Sequence, residues 1–261
     1  MTGWRWTVLS DGWTQAREAL LIQGGAWRKV VRCAATAVLL EREADDPVLF
    51  DCGYSSRFLS ETRGWPGRLY RCLAPAMICE PEGIAGILRR RGVEIRHVIV
   101  SHWHADHVGG LRDFPNANVY ASREGWDAVS GLRGMAAVRQ GILPGLLPED
   151  LLERIRWMEE GSDLFGDGSM TAMALPGHAV GQMGVRFEGS DGRPVLLAAD
   201  ACWVSDCYRL NRLPHRVTGI LHDLPAYQAT LQRLHRLWQD EPELLILPCH
   251  CPETATLIAN R

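Results

Sequence analysis

Three histidines and an aspartate crowd into one short segment of this 261-residue chain, residues 102–107, which read HWHADH. Protonated imidazoles at such spacing would repel one another, and neutral imidazoles need partners. Divalent metal ions solve both problems, because neutral imidazole and carboxylate are common ligands of zinc. The segment directly follows the apolar run 97–101, which predicts a buried strand. These residue types at this spacing therefore indicate a metal site at the end of a strand.

The spacing within residues 102–107 also predicts how the backbone runs. Side chains two residues apart, such as His102 and His104, lie on the same side only when the chain is extended. We therefore expect this pair to hold one ion. Asp106 and His107 are adjacent and point in different directions, so they suit a second ion, or one ligand and one supporting role. The glycines at 109 and 110 would let the backbone pass close to the metal.

Three later segments share one pattern, in which an apolar run ends in a side chain that can bind a metal. The runs 174–177, 195–199 and 244–249 are followed by His178, Asp200 and His250. Ligands at strand ends are held rigidly by the core beneath them. The sequence therefore predicts that these strand ends complete the metal site.

In this order, the elements resemble the metallo-β-lactamase superfamily. Residues 49–54 (LFDCGY) add to the resemblance, because they match the strand-Asp-x-Gly element that lies beneath the metal site in that family. The resemblance implies an α/β fold, an αββα sandwich of two mixed β-sheets flanked by helices. We expect one domain over residues 1–261, with an insertion at about 123–160 that roofs the active site.

The resemblance also implies how the ligands are shared between two divalent metal ions. One ion would lie on His102, His104 and His178, and the other on Asp106, His107 and His250, with Asp200 bridging them. Zinc fits this set best, and manganese or iron would also suit imidazole and carboxylate ligands. Such a pair can hold a hydroxide that attacks a carbonyl. Asp106 and Asp200 are therefore the predicted catalytic residues.

The pattern implies hydrolysis of a lactone or a (thio)ester, and it resembles the N-acyl-homoserine lactonase and thioesterase branches. The lactonases carry a Tyr three residues after the bridging Asp, where this chain has Trp203. A glyoxalase-II-like or acyl-CoA thioesterase is an alternative, in which Arg209, Arg212 and Arg216 would bind an anionic thiol carrier. A metal-containing ligand-binding or regulatory protein with little turnover is an alternative of another class.

The substrate is expected to be a small molecule with a lactone, ester or thioester carbonyl. Candidate pocket residues lie near the metal motifs or in the roof segment: Trp103, Tyr120, Leu143, Leu146, Trp203, Tyr208 and His222. The apolar segment 142–147 fits either a pocket wall or a dimer interface. A homodimer is therefore an alternative that the sequence does not exclude.

Composition limits the other function classes. The formal net charge of −3 argues against a nucleic-acid partner, and the only run of basic residues, 89–91, is explained by a solvated helix end. The first residues lack the apolar stretch of a signal peptide, and no segment is long enough to span a membrane. The 8 cysteines are scattered and read as reduced thiols of a cytoplasmic protein. In an extended segment Cys249 and Cys251 would point away from His250, so sulfur ligation is not expected there.

The elements that must position these residues can also be predicted. Hydrophobic runs indicate strands at 6–9, 34–40, 48–50, 97–100, 119–121, 195–199 and 244–248, and two more strands within 169–188. Apolar spacing indicates helices at 81–90 and 224–238. A further helix is expected to begin at Pro148 and to continue through Ile155, Trp157 and Met158.

Overall fold

The structure is a computed structural model that describes residues 3–79, 82–221 and 223–259. The strands are β1 (Arg5–Arg17), β2 (Val30–Glu41), β3 (Val48–Phe50), β4 (Met77–Ile78), β5 (His97–Ile99), β6 (Asn118–Ser122), β7 (Ile155–Met158), β8 (Met170–Ala174), β9 (Met183–Glu188), β10 (Pro194–Ala199) and β11 (Leu245–Pro248). The helices are α1 (Glu18–Leu21), α2 (Ser56–Glu61), α3 (Gly67–Leu73), α4 (Gly83–Arg90), α5 (Ala105–Val108), α6 (Arg123–Val129), α7 (Gly134–Arg139), α8 (Leu151–Arg154), α9 (Ser205–Arg209), α10 (Leu224–Asp240) and α11 (Pro252–Ala255). Short 3₁₀ turns lie at Leu111–Asp113, Pro144–Leu146 and Arg216–Leu221.

Two mixed sheets organise these strands. One sheet has seven strands in the order β4-β1-β2-β3-β5-β6-β7, and the other has four in the order β11-β10-β9-β8. β3, β5, β6 and β7 run parallel to one another, and so do β10 and β11. The carboxyl ends of parallel neighbours lie at the same edge of a sheet. Side chains that follow β10 and β11 therefore lie at one edge of the smaller sheet, and the segment after β5 leaves the larger sheet at the edge where β3 and β6 also end.

The sheets pack face to face, with helices on their outer faces. Between them lies a core to which the larger sheet contributes Leu40 and Phe50 and the smaller sheet Val185 and Leu197. On the outside of the larger sheet, α4 buries its apolar side chains at Ile84, Ile87 and Leu88, and on the outside of the smaller sheet α10 buries Tyr227, Leu231 and Leu234. The predicted αββα sandwich is thus confirmed.

The predicted helix over Ile155, Trp157 and Met158 is wrong. α8 ends at Arg154, and the next residues form β7, in which Ile155 pairs with Val119 and Met158 with Ser122. A segment of four residues with three apolar side chains is too short to be assigned to helix or strand by periodicity. Here the free edge of β6 decides, because strand pairing satisfies the backbone while Ile155 and Met158 are buried.

The other predicted elements agree in position with the structure. β2, β3, β5, β6, β10 and β11 fall on the predicted strands, and α10 on the helix predicted at 224–238. The predicted helix at 81–90 is described as Gly83–Arg90, and Pro81 lies outside the described residues. Across the described ranges, every helix is too short or too polar to cross a bilayer.

Candidate metal centre

Two groups of side chains meet at the edge where β5, β10 and β11 end. We call His102, His104 and His178 the first cluster, and their ligand atoms lie within 4.8 Å of one another. We call Asp106, His107, Asp200 and His250 the second cluster. The ligand atoms of His107, Asp200 and His250 lie within 4.8 Å of one another, and His250 Nε2 lies 3.2 Å from Asp106 Oδ2. The structure therefore brings all seven predicted ligands together.

Asp200 joins the two clusters. It directly follows β10, and it is 2% exposed. Its Oδ2 lies 3.4 Å from His178 Nε2 in the first cluster and 3.2 Å from His250 Nε2 in the second. Its Oδ1 lies 3.4 Å from His107 Nε2. One buried carboxylate thus faces imidazoles of both clusters.

The extended backbone predicted for His102 and His104 is also found. His104 has an extended conformation (φ −67, ψ 154) and is the N-cap of α5, which carries Asp106 and His107. The rings of His102 and His104 approach to 4.4 Å between centroids. Because the chain changes from extended to helical at His104, His102 and His104 lie in the first cluster, and Asp106 and His107 lie in the second.

Hydrogen bonds outside the clusters orient the imidazoles. His107 Nδ1 donates to Asp51 Oδ2 at 2.8 Å, and His250 Nδ1 donates to the carbonyl of Ala34 at 2.8 Å. Asp51 also accepts from the backbone N–H and the hydroxyl of Ser101, at 2.8 and 2.7 Å. Such partners fix the ring orientation and leave Nε2 for a metal. Asp51 belongs to residues 49–54, which the superfamily resemblance predicted to lie beneath the metal site.

Several inward-facing atoms fit a bound metal. Within the described ranges, His102 Nε2, His107 Nε2 and Asp200 Oδ1 are buried and have no hydrogen-bond partner. Buried polar atoms are normally satisfied by hydrogen bonds or by bound ions. Imidazole nitrogen and carboxylate oxygen form the donor set that zinc, manganese and iron accept. The residues present therefore suit divalent ions.

The protonation of the two clusters differs. Burial lowers the pKa of His102 well below its ordinary value, and the neighbouring imidazoles lower it further. Burial also lowers the pKa of His107 and of His250, but nearby carboxylates outweigh it and raise both well above the ordinary value. Burial raises the pKa of Asp106 and of Asp200, but His107 and His250 outweigh it and hold both pKa values below the usual range. The second cluster is therefore an internally balanced set of opposite charges.

Cys249 is closer to the site than the sequence predicted. Its Sγ lies within the same 4.8 Å group as the ligand atoms of His107, Asp200 and His250. The sulfur is also held by Thr36, whose backbone N–H and hydroxyl both approach it at 3.3 Å. Cys251, in contrast, contacts Ser205 at 3.1 Å. The expectation that both cysteines point away from His250 is therefore wrong for Cys249.

A cavity of about 270 Å³ opens over the two clusters. His104, Asp106, His178, Asp200 and His250 line one side of it. The remaining wall is mostly apolar and includes Ala16, Leu21, Leu73, Ala74 and Val138, with Tyr54, Tyr70 and Trp203. A larger groove of about 910 Å³ elsewhere is lined by none of the predicted ligands among the described residues. Because five of the predicted ligands line the smaller cavity, it is the candidate substrate pocket.

The seven predicted pocket residues lie in different surroundings. Trp203 lines the cavity, and its indole N–H donates to Asp200 Oδ2 at 3.0 Å. Trp103 lies in a neighbouring groove beside Trp126. Four other side chains are not part of the described cavity lining. Tyr120 contacts His97 and Phe165 between the sheets, and Tyr208 packs with α10. Leu143 and Leu146 are buried in the core. His222 lies outside the described residues.

Part of the predicted roof does reach the cavity, at residues 138–141, which comprise the end of α7 and the two residues after it. Gly141 has φ +72, and its backbone carbonyl accepts from the Ala105 N–H at 3.3 Å. A Cβ at this position would lie 2.5 Å from the His104 ring. The segment therefore packs directly against a ligand of the first cluster, a contact that needs glycine.

Sequence reasoning missed two tyrosines of the cavity. Tyr54 and Tyr70 both line it, and burial raises the pKa of each, with Asp106 raising it further. Tyr54 follows the predicted Asp-x-Gly element directly, and that position could have indicated it. Tyr70 belongs to the short helix α3 in a segment without a clear pattern, so no sequence signal points to it.

A family model for the metallo-beta-lactamase superfamily matches residues 30–250 of this chain. The chain belongs to this superfamily. The resemblance inferred from the sequence is thereby confirmed, and the match includes every residue of both clusters. The fold and the order of the ligand-bearing strand ends are those of a superfamily member.

Relatives within the superfamily include lactonases. An N-acyl homoserine lactonase AttM from Azorhizobium caulinodans is 28% identical over 200 residues, which cover 72% of this chain and 72% of that protein. An AttM from Rhizobium radiobacter is 26% identical over 164 residues, covering 61% of this chain but only 59% of that protein, less than two thirds.

A solved structure shares the fold. It is an N-acyl homoserine lactone hydrolase with the product N-hexanoyl-L-homoserine bound at its catalytic metal centre. Its sequence is 20% identical to this chain, and the TM-score is 0.76 over 99% of this chain and 98% of that one. At this identity the similarity speaks for the sandwich fold, which the two proteins share along almost their whole length.

Proposed function

We propose that this protein is a hydrolase that uses two divalent metal ions to open the ring of N-acyl homoserine lactones. The observation that carries this proposal is the position of Asp200 between the clusters, facing His178 on one side and His107 and His250 on the other. The lactonase names of the relatives supply the substrate class. Zinc is the proposed metal, because the ligand set combines imidazole with carboxylate.

The residues of the site divide the work of ester hydrolysis. Bound divalent ions supply Lewis acidity, which polarises a carbonyl and lowers the pKa of water. Asp106 lies at the cavity with its Oδ2 3.2 Å from His250 Nε2, and we assign it to accept the proton of the attacking water. From this position Asp106 can return the proton to the leaving alkoxide. Asp200 holds both clusters at a fixed separation.

The cavity wall fits an acyl group. Leu21, Leu73 and Val138 give it an apolar lining opposite the ligands. Ligand pockets are mostly apolar with a few polar groups that fix orientation. We further propose that residues 138–141, within the segment at about 123–160, form one rim of the pocket in a single catalytic domain. An acyl chain would lie along the apolar wall, with the lactone carbonyl towards the clusters.

The thioesterase alternative has less support from the geometry. Arg209 forms a paired contact with Glu253, at 2.7 Å for each nitrogen. Arg209, Arg212 and Arg216 are not among the described residues that line the cavity. A positively charged lip for an anionic thiol carrier is therefore not formed by these three arginines in the described part of the site.

Metal analysis together with a substrate panel tests the proposal. The purified protein is analysed for metal by mass spectrometry and assayed with N-hexanoyl-L-homoserine lactone, an acyl-CoA, S-lactoylglutathione and bis-p-nitrophenyl phosphate. We expect about two ions per chain and turnover of the lactone. Faster hydrolysis of a thioester than of the lactone would contradict the proposed substrate. If the protein contains no metal and hydrolyses none of the substrates even after zinc or manganese is added, the proposed enzyme class is contradicted.

A histidine outside the site provides the control. His104→Ala should lose metal and activity together while retaining the fold, as measured by circular dichroism. His235 lies on α10, where its Nδ1 contacts the Tyr208 carbonyl at 2.8 Å. His235→Gln should retain both metal and activity. Equal losses in the two variants would show that the effect is not specific to the clusters.

A further inference from the structure

The hydroxyl groups of the cavity differ in what they can reach. Among the described lining residues, hydroxyls are carried by Thr14, Tyr54 and Tyr70. Thr14 Oγ1 donates to the Pro75 carbonyl at 3.3 Å. Tyr54 is only 1% exposed, and its ring packs edge-on against Phe58 in the core. Tyr70 is half-buried and therefore presents part of its side chain to the cavity.

The surroundings place the Tyr70 hydroxyl beside the second cluster. Its ring rests edge-on against Phe58, with centroids 5.8 Å apart, which anchors the aromatic part. The hydroxyl shares the backbone N–H of Ala105, the residue between His104 and Asp106, with the carbonyl of Gly141, which accepts from the same N–H at 3.3 Å. A phenol oxygen that accepts from an N–H keeps its own O–H available as a donor.

The indole N–H of Trp203 cannot donate to a substrate in the cavity as the Tyr70 hydroxyl can. The indole has a single N–H, and that N–H donates to Asp200 Oδ2 at 3.0 Å. Arg139 and Gln140 also line the neighbouring groove, which places them at the mouth of the cavity. The Tyr70 hydroxyl is therefore a neutral donor in the lining of the cavity.

We propose that Tyr70 is a catalytic residue that donates a hydrogen bond to the carbonyl oxygen of the substrate as negative charge develops there. This inference rests on the proposed function, because it requires a carbonyl substrate in the cavity. A donor aimed at a developing oxyanion stabilises the transition state more than the ground state. Its loss should therefore lower kcat and leave KM nearly unchanged.

Tyr70→Phe tests the proposal, because it removes only the hydroxyl. The variant and the wild type are assayed with N-hexanoyl-L-homoserine lactone and with p-nitrophenyl acetate, and their metal content is measured. We expect kcat to fall about 100-fold for both substrates, as for loss of one oxyanion donor, with metal content unchanged. The drop is shared because both substrates develop charge on the same carbonyl oxygen. Cys72→Ser, at an exposed position of the same helix, should match the wild type.

The other outcomes contradict the inference in distinguishable ways. Unchanged kcat in Tyr70→Phe would remove Tyr70 from the reaction. A loss for the lactone alone would place the phenol at the leaving oxygen, because p-nitrophenolate leaves without a proton. A wild type that cleaves p-nitrophenyl acetate but not the lactone would contradict the lactonase function, while the ester still tests Tyr70. Loss of metal in Tyr70→Phe would show that its role is structural.

Discussion

The two clusters of the candidate metal centre are held by different neighbouring residues. In the first cluster the rings of His102, His104 and His178 pack against one another, with centroids 4.4 to 5.0 Å apart. His104 also packs against the backbone of Gly141. In the second cluster, His107 and His250 are fixed by hydrogen bonds to Asp51 and Ala34. The first cluster also contains hydrogen-bond contacts, between Ser101 Oγ and His102 Nδ1 and between His178 Nε2 and His104 Nδ1, each at 3.0 Å. What distinguishes the clusters is the backbone of Gly141 against the first and the direct hydrogen bonds to Asp51 and Ala34 in the second.

The clusters differ in charge as well. The pKa of His102 is lowered by burial and by neighbouring imidazoles, whereas carboxylates raise the pKa of His107 and of His250 against the effect of burial. A metal adds positive charge to either cluster. In the first cluster it meets His102, whose lowered pKa favours the neutral imidazole, and in the second it replaces protons that balance the carboxylates. Substitutions that affect packing or hydrogen bonding should therefore separate the two metal sites.

Asp200→Asn should have the largest effect, because Asp200 faces both clusters. An amide keeps the shape but removes the charge that two cations share. We expect loss of metal from both clusters and a drop in activity beyond the ~10- to 100-fold typical of losing a supporting residue. Metal analysis and circular dichroism of one sample measure both effects. Normal metal content with retained turnover would contradict the assignment of Asp200 as a bridge.

Gly141→Ala should break the first cluster selectively. The new Cβ would lie 2.5 Å from His104 Cδ2 and 2.7 Å from its Nε2, at a φ of +72 that alanine also disfavours. We expect metal content to fall from about two ions per chain to about one. Gly134→Ala is the matched control, because it has φ +55 but no atom within 4 Å. If both variants lose metal equally, backbone strain and not the contact with His104 is the cause.

Asp51→Asn should weaken the second cluster more than the first, because Asp51 contacts His107 directly and reaches His102 only through the Ser101 hydroxyl. The amide can no longer balance His107, whose Nδ1 donates to Asp51 Oδ2 at 2.8 Å. We expect about 10- to 100-fold weaker binding of one of the two ions, as is typical for a lost supporting residue. Titration against a competing chelator, with wild type and Gly141→Ala alongside, measures each affinity. Equal weakening of both ions by Asp51→Asn would contradict the separation of the clusters.

The ligands could be predicted because each one follows an apolar run, and strand ends converge for simple geometric reasons. The superfamily and its sandwich fold, both inferred from this pattern, are confirmed. The assignment of individual ligands stays a prediction, although the structure brings all seven together. The same is true of the metal identity, the cytoplasmic location and the homodimer.

The pocket could not be predicted in the same way. Its walls come from side chains that tertiary packing selects, such as Tyr70 on a short helix without clear periodicity. Leu143 and Leu146 have the apolar character of a pocket wall, but they are buried in the core beneath the roof. β7 was mistaken for helix because four residues carry too little periodicity. Residues at strand ends can therefore be predicted from the sequence, whereas the residues of the loops and short helices that line the pocket cannot.

Trp203→Phe should have the smallest effect and concerns the link between the clusters. It removes the N–H that donates to Asp200 Oδ2 at 3.0 Å, while a ring remains to pack against His178. A hydrogen bond to a charged group contributes roughly 1.5–3 kcal/mol, and Asp200 keeps its other contacts. Because Asp200 keeps these contacts, we expect an effect at the lower end of this range, a fall in kcat/KM of about tenfold, with both ions retained. Trp65→Phe, at a position that is 74% exposed, is the control. Loss of an ion in Trp203→Phe would show that the indole holds Asp200 in its bridging position, and that the two clusters depend on a common hydrogen bond.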